Sequence, residues 1–185
     1  MAVLIEGISV VVRRTSIDRR FDGGWDAFVA RVPNATLCTD GLLARVGFMG
    51  PNAVGRFVKD LQTGGHEFVR SRNCADIVVI DQQEGPTVPC DWIEFARIPF
   101  GNAGGVVSAA WLFEGPRIAA GIHTPGLKFD LATPAGWQFE GSLSDRFHFV
   151  PNDDPGTRFK FLRTEDGIDV LLDQSTGREV FRPKD

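Results

Sequence analysis

The chain has 185 residues, 43% hydrophobic and 24% charged, with a formal net charge of −4. That length suits one domain, or a compact domain with an appendage, and it buries enough surface to need no disulfide or metal staple. The acidic balance argues against a phosphate-binding face, so no nucleic acid partner is expected.

Val3 to Arg14 reads as a strand, with Ile8, Val10 and Val12 on one face and Val11 on the other. The arginines at 13, 14, 19 and 20 read as solvated strand-end charges rather than an anion clamp. Asp22 is the expected N-cap of a helix whose apolar positions are Trp25, Phe28, Val29 and Val32, and Pro33 stops it. Residues 35–38 and 42–48 then form a hairpin through Thr39-Asp40-Gly41. Pro51 starts a second helix with the stripe Val54, Phe57, Val58 and Leu61, ended by Gly64-Gly65. Glu67 to Arg70 reads as a short edge strand, and Ile77 to Asp81 as a buried strand.

That order is β-α-β-β-α-β. It predicts an α+β fold of the ferredoxin-like kind, an antiparallel sheet with both helices on one face. Trp92–Ile98 and Val106–Phe113 are expected to pair through the turn Gly101-Asn102-Ala103-Gly104-Gly105. Residues 114–146 are irregular, with apolar anchors at Ile118, Leu127, Phe129, Trp137 and Phe139. A three-stranded meander follows over 159–181, with turns at Asp166-Gly167 and Ser175-Thr176-Gly177. The expected organisation is a ferredoxin-like core over 1–100 and a β-rich extension over 101–185, packed on the same domain.

The N-terminus has no basic segment before its apolar run, so no signal peptide is expected. No apolar run reaches the roughly 18 residues a membrane span needs. Three cysteines in such a chain fit a reducing compartment, and a cytoplasmic location is expected.

The segment from Ala75 to Trp92 concentrates the chemistry. A β-branched run gives way to polar residues, a Gly-Pro turn, a thiol, a carboxylate and an indole. A rigid strand ending in a polar loop is a common setting for a site. Cys90 is the candidate nucleophile, provided that a base or positive charge lowers its pKa. Cys38 and Cys74 read as packing residues. Asp81, Glu84 and Asp91 are the candidate acid–base carboxylates, with Glu94 close by, since like charges held together split their pKa values. Gln82, Gln83 and Trp92 are candidate ligand-binding residues in the same loop, and His123 and His148 are candidate partners from elsewhere. With no tyrosine in the chain, hydroxyl chemistry falls to Ser, Thr or water.

Three histidines, widely spaced and without a Cys-x-x-Cys, predict no metal site. No glycine cluster matches a dinucleotide or phosphate loop, so no cofactor is expected. Two functions fit this inventory. One is a soluble cytosolic binding or protein-interaction module, whose helix-free apolar sheet face must be covered by a small molecule, a protein, a second copy in a homodimer, or more of the same chain such as the C-terminal meander. The other is a small enzyme with an acid–base or thiol site in the Gln82–Trp92 loop, under a cover formed by 114–146.

Overall fold

The computed structural model describes residues 1–100, 105–123, 130–139, 148–149, 159–165, 168–174 and 178–183. The chain divides into two compact units, Met1–Glu140 and Gly141–Asp185.

In the first unit the elements run β1 (Ala2–Ile5), β2 (Ile8–Arg13), α1 (Arg14–Arg20), α2 (Gly24–Arg31), β3 (Cys38–Thr39), β4 (Leu43–Phe48) and α3 (Pro51–Thr63). They continue β5 (Val69–Arg70), β6 (Asn73–Cys74), β7 (Ile77–Asp81), β8 (Gly85–Pro86), β9 (Ile93–Phe100), β10 (Gly105–Leu112), α4 (Pro116–His123) and β11 (Leu131–Ala132). One sheet is ordered β3-β4-β2-β7-β8 and is antiparallel throughout. A second is ordered β11-β1-β10-β9, and β5 and β6 form a small ribbon of their own.

Alternation along each strand assigns the layers. Val10, Val12, Ala44, Val46, Ile77 and Val79 face α1, α2 and α3, meeting Ile17, Phe28 and the α3 stripe Val54, Phe57, Val58 and Leu61. The other face of the same sheet presents Val11, Leu43, Val78 and Ile80 to Val3, Ile5, Ile93 and Ala110 of the second sheet. The far face of that second sheet buries Leu4, Ile98, Ala109 and Trp111 under Ile122 of α4, with Trp137 and Phe139 alongside. The unit is therefore a stack of helices, sheet, sheet and helix.

This corrects the ferredoxin-like expectation of one sheet with helices on one face and a C-terminal extension. The single strand expected over Val3–Arg14 breaks at Glu6-Gly7, and its halves join different sheets. The face expected to be free of helices is apolar because a second sheet covers it. Gly7 makes the break with φ +56°, and a Cβ there would lie 2.6 Å from the Phe48 carbonyl oxygen. Two local expectations also change. Arg14–Arg20 forms a helix, with Arg14 paired to Asp18 one turn on. Asp22 makes no cap; Gly23, in the left-handed region, precedes α2 instead.

A cation lies between the two sheets. Arg45 is 1% exposed. Its Nε donates to Ser9 Oγ at 2.9 Å, Nη2 to the Glu6 carbonyl at 3.1 Å and Nη1 to the Thr36 carbonyl at 3.3 Å. Burial pulls its pKa down, and the Cys38 thiol and Glu6 offset this. Gly47 makes room for the guanidinium: a Cβ there would lie 2.7 Å from Nη2.

In the second unit, β12 (His148–Phe149), β13 (Phe159–Glu165), β14 (Ile168–Asp173) and β15 (Arg178–Pro183) form a sheet ordered β12-β15-β14-β13. β13, β14 and β15 are consecutive antiparallel neighbours, and β12 joins β15 in parallel. The expected turns at Gly101–Gly104, Asp166-Gly167 and Ser175–Gly177, and the anchors Leu127 and Phe129, lie outside the described residues. Among the described residues, no helix is long and apolar enough to cross a membrane.

Gly47 and Gly55 make a matched test of this packing. A Cβ at Gly55, in the middle of α3, meets nothing within 4 Å. Gly55→Ala should stabilise the protein by about 0.5–1 kcal/mol through helix propensity. Gly47→Ala should cost about 1–3 kcal/mol by crowding the buried guanidinium. Urea midpoints with unchanged slopes measure both.

Candidate functional site: a thiol pair at the open end of a hairpin

The β7–β8 hairpin builds the site. Asp81 Oδ1 accepts from the backbone N–H groups of Gln83 at 2.8 Å and Glu84 at 3.1 Å, which fixes the turn. Gly85 and Pro86 then pair back on Asp81 and Ile80, and Thr87 N–H donates to the Val79 carbonyl at 2.9 Å. The returning chain passes Cys74, whose N–H donates to the Pro89 carbonyl at 2.8 Å. Cys90 is the next residue.

The two cysteines come side by side there, both packed in the core between the sheets. The Cys74 thiol donates to the Val88 carbonyl at 3.7 Å. Donors near a sulfur favour its charged form. The neighbouring Cys74 thiol, helped by the backbone amides of Trp92 and Ile93, pulls the Cys90 pKa below its ordinary value, against burial and the charge of Asp91. The Cys90 sulfur in turn pushes Cys74 up, as do burial and the charge of Asp91. Opposite directions are what two thiols sharing one proton produce. Cys74 is buried and Cys90 half-buried, so Cys90 is the more accessible of the two residues.

Trp92 roofs the pair. Its indole N–H donates to the Cys74 carbonyl at 3.3 Å, and the Arg13 guanidinium stands 4.9 Å from its ring centroid.

The other candidates are dispersed. Asp81 and Glu84 sit at the turn, and Cys90 lies six residues beyond Glu84, past the short strand β8; that length of extended chain spans up to roughly 20 Å. Glu84 and Gln83 are exposed. Gln82 is buried; its N–H donates to the Gly7 carbonyl at 2.9 Å, and its Oε1 accepts from Gly7 N–H at 3.1 Å. The Ser108 hydroxyl donates to the Gln82 carbonyl. Asp91 is exposed beside the pair. His123 ends α4 and His148 opens β12, and the side chains of both lie outside the described residues. Among the described residues, no group of three His, Cys, Asp or Glu side chains gathers to hold a metal.

Cys74 is buried in the core between the sheets, as the packing reading expects. Its place beside Cys90 follows from topology: a tight turn at Gln82–Glu84 returns residues 85–90 along 74–81. Cys38 belongs to the core, where burial raises its pKa.

A second polar cluster ties α1 to the start of β7. Asp76 Oδ1 accepts from the Ser16 hydroxyl at 2.8 Å, and Oδ2 accepts from Glu67 N–H at 3.0 Å. Arg20 stands 3.2 Å and Arg13 3.6 Å from its carboxylate. Burial alone would raise the Asp76 pKa, but these donors and charges hold it below its ordinary value. His66 packs against Phe21 nearby, 4% exposed, and among the described residues neither ring nitrogen is hydrogen-bonded.

Comparison with protein-family models, with curated proteins and with solved structures finds no match, so the site is read from its own geometry.

The His66 environment gives a pH prediction. Desolvation lowers its folded pKa, with Asp76 opposing and Arg20 assisting. Above the unfolded value of about 6.5 both states are neutral and the group is silent. As pH falls below that value the unfolded chain takes up the proton first, so stability drops until the folded pKa is passed. Chemical denaturation from pH 7 to 5 should show this loss, and His66→Phe should flatten it. Asp76 acts lower, below about 3.9, where protonation removes its stabilising contacts. A pH 5–7 slope that survives His66→Phe would contradict the assignment.

Proposed function

We propose that the protein acts through a reactive thiol, with Cys90 as nucleophile and Cys74 as the hydrogen-bond donor that keeps it charged. One observation carries this reading: the hairpin sets half-buried Cys90 beside buried Cys74, whose N–H donates to the Pro89 carbonyl at 2.8 Å. The Cys74 thiol and the backbone amides of Trp92 and Ile93 hold the Cys90 pKa below its ordinary value. A thiolate, not a thiol, is the attacking species.

The premise of an interaction module was an uncovered sheet face, and in this structure the second sheet covers that face. The thiol reading does not depend on it. It takes a small electrophilic molecule as partner, and a reducing compartment such as the cytoplasm keeps three free thiols reduced. Asp91 works against the thiolate by its charge, so it sets the reactivity of Cys90 without serving as its base.

Iodoacetamide at pH 7 tests the proposal. Peptide mapping should find Cys90 carbamidomethylated first, about tenfold faster than a free cysteine. Cys38 and Cys74, both buried, should react only on unfolding. A Cys90 rate no higher than that of free cysteine would overturn the proposal.

A further inference from the structure

We propose that Cys74 and Cys90 form a thiol–disulfide couple that exchanges with small, positively charged disulfides. The inference rests on the reading of Cys90 as a reactive thiol and adds its substrate class and the role of Cys74.

The geometry assigns different tasks to the two sulfurs. Cys90 is half-buried and Cys74 buried, and the bond from Cys74 N–H to the Pro89 carbonyl sets the two residues side by side in one core cluster. An incoming disulfide therefore meets Cys90 first, and the sulfur able to resolve the product is already in place. Cys74 is held in register by its N–H bond to Pro89 at 2.8 Å and by the Trp92 indole on its carbonyl. The chain between the two cysteines is already folded back by the hairpin. Bridging the sulfurs closes a loop that the native fold has closed.

The exchange balances without a further oxidant. The Cys90 thiolate attacks one sulfur of R–S–S–R; that bond breaks, and RS⁻ leaves and takes a proton from solvent. Cys90 is now a mixed disulfide and no longer negative, so the charge that held the proton on Cys74 is gone. Cys74 gives its proton to solvent and attacks the Cys90 sulfur. The mixed disulfide breaks, and the second RS⁻ leaves and is protonated in turn. Two protein thiols lose two electrons, and one small disulfide becomes two thiols.

Charge selects the substrate. Asp91 is the charged residue that acts on both sulfurs. It is exposed, and the chain carries a net charge of −4. A disulfide bearing ammonium groups is attracted to this site, and one bearing carboxylates is repelled; salt weakens both effects.

The test incubates the reduced full-length protein with cystamine or with oxidised glutathione at pH 7 and low salt, then maps peptides without reduction. The expected product is a Cys74–Cys90 cross-linked peptide with the loss of two hydrogen atoms. It should form several-fold faster with cystamine, and Asp91→Asn should narrow that difference. In Cys74→Ala the reaction should stop at a cysteamine adduct on Cys90. The wild-type map decides the matter even if that variant folds poorly. A stable Cys90 adduct without a cross-link would overturn the inference and leave the reactive thiol standing. Neither adduct nor cross-link, together with slow alkylation by iodoacetamide, would remove the thiol reading itself. Equal or faster reaction of oxidised glutathione would overturn the charge selection.

Discussion

The Met1–Glu140 unit depends on how the chain crosses from one sheet to the other at Glu6-Gly7. The crossing must turn sharply, leave two polar peptide groups inside the stack and still seal both sheets. Gly7 supplies the turn with a positive φ that a side chain would strain. Gln82 satisfies both polar groups of Gly7, one through its backbone and one through its side chain. The Glu6 carbonyl receives the Arg45 guanidinium and the Ser9 hydroxyl, and the Glu6 carboxylate receives the Trp137 indole N–H at 2.7 Å. An unmade hydrogen bond at such a depth costs about 1–3 kcal/mol, so these partners act as one unit.

The crossing also positions the thiol pair. Gln82 is the first residue after β7, so its bonds to Gly7 and Ser108 fix the point from which the hairpin returns. At the other end, Asp76 pins the start of β7 to Ser16, Glu67 and the two arginines. The strand between is buried on both faces. Cys74 and Cys90 thus hang from an element anchored at both ends, and their approach reflects the scaffold more than the loop. A thiol donor two bonds from a rigid ribbon can hold a proton between sulfurs without large entropic cost.

Individual elements, though not their layering, were legible because alternation and helical spacing report burial directly. The stripe Val54, Phe57, Val58 and Leu61 is buried in α3 as its spacing indicates, and the Thr39-Asp40-Gly41 turn forms, with Asp40 accepting from Leu42 and Leu43. The strand pair Trp92–Ile98 and Val106–Phe113 is present as β9 and β10. What misled was continuity. Apolar residues run from Val3 to Val12, and a change of sheet partner at Gly7 leaves no mark on hydrophobicity. Once that break is missed, the second sheet is missed with it, and the apolar inner face is taken for an open one. Arg14–Arg20 was unreadable for a related reason, since its only buried residues are Ser16 and Ile17. For the candidate site, the loop and Cys90 stood out from composition. That Cys74 lies beside Cys90 did not, because contact across a hairpin depends on where the turn sits and leaves no short motif.

The central claim is that Cys74 keeps Cys90 charged. Thiolate absorbance near 240 nm, followed against pH in wild-type protein and in Cys74→Ala, measures it most directly. The account predicts a first wild-type midpoint below the ordinary cysteine value of about 8.5, and a clear upward shift when Cys74 is replaced. Cys90→Ser should abolish that low-pH step. A Cys90 midpoint at or above the ordinary value, or one unmoved by Cys74→Ala in a folded protein, would contradict the account.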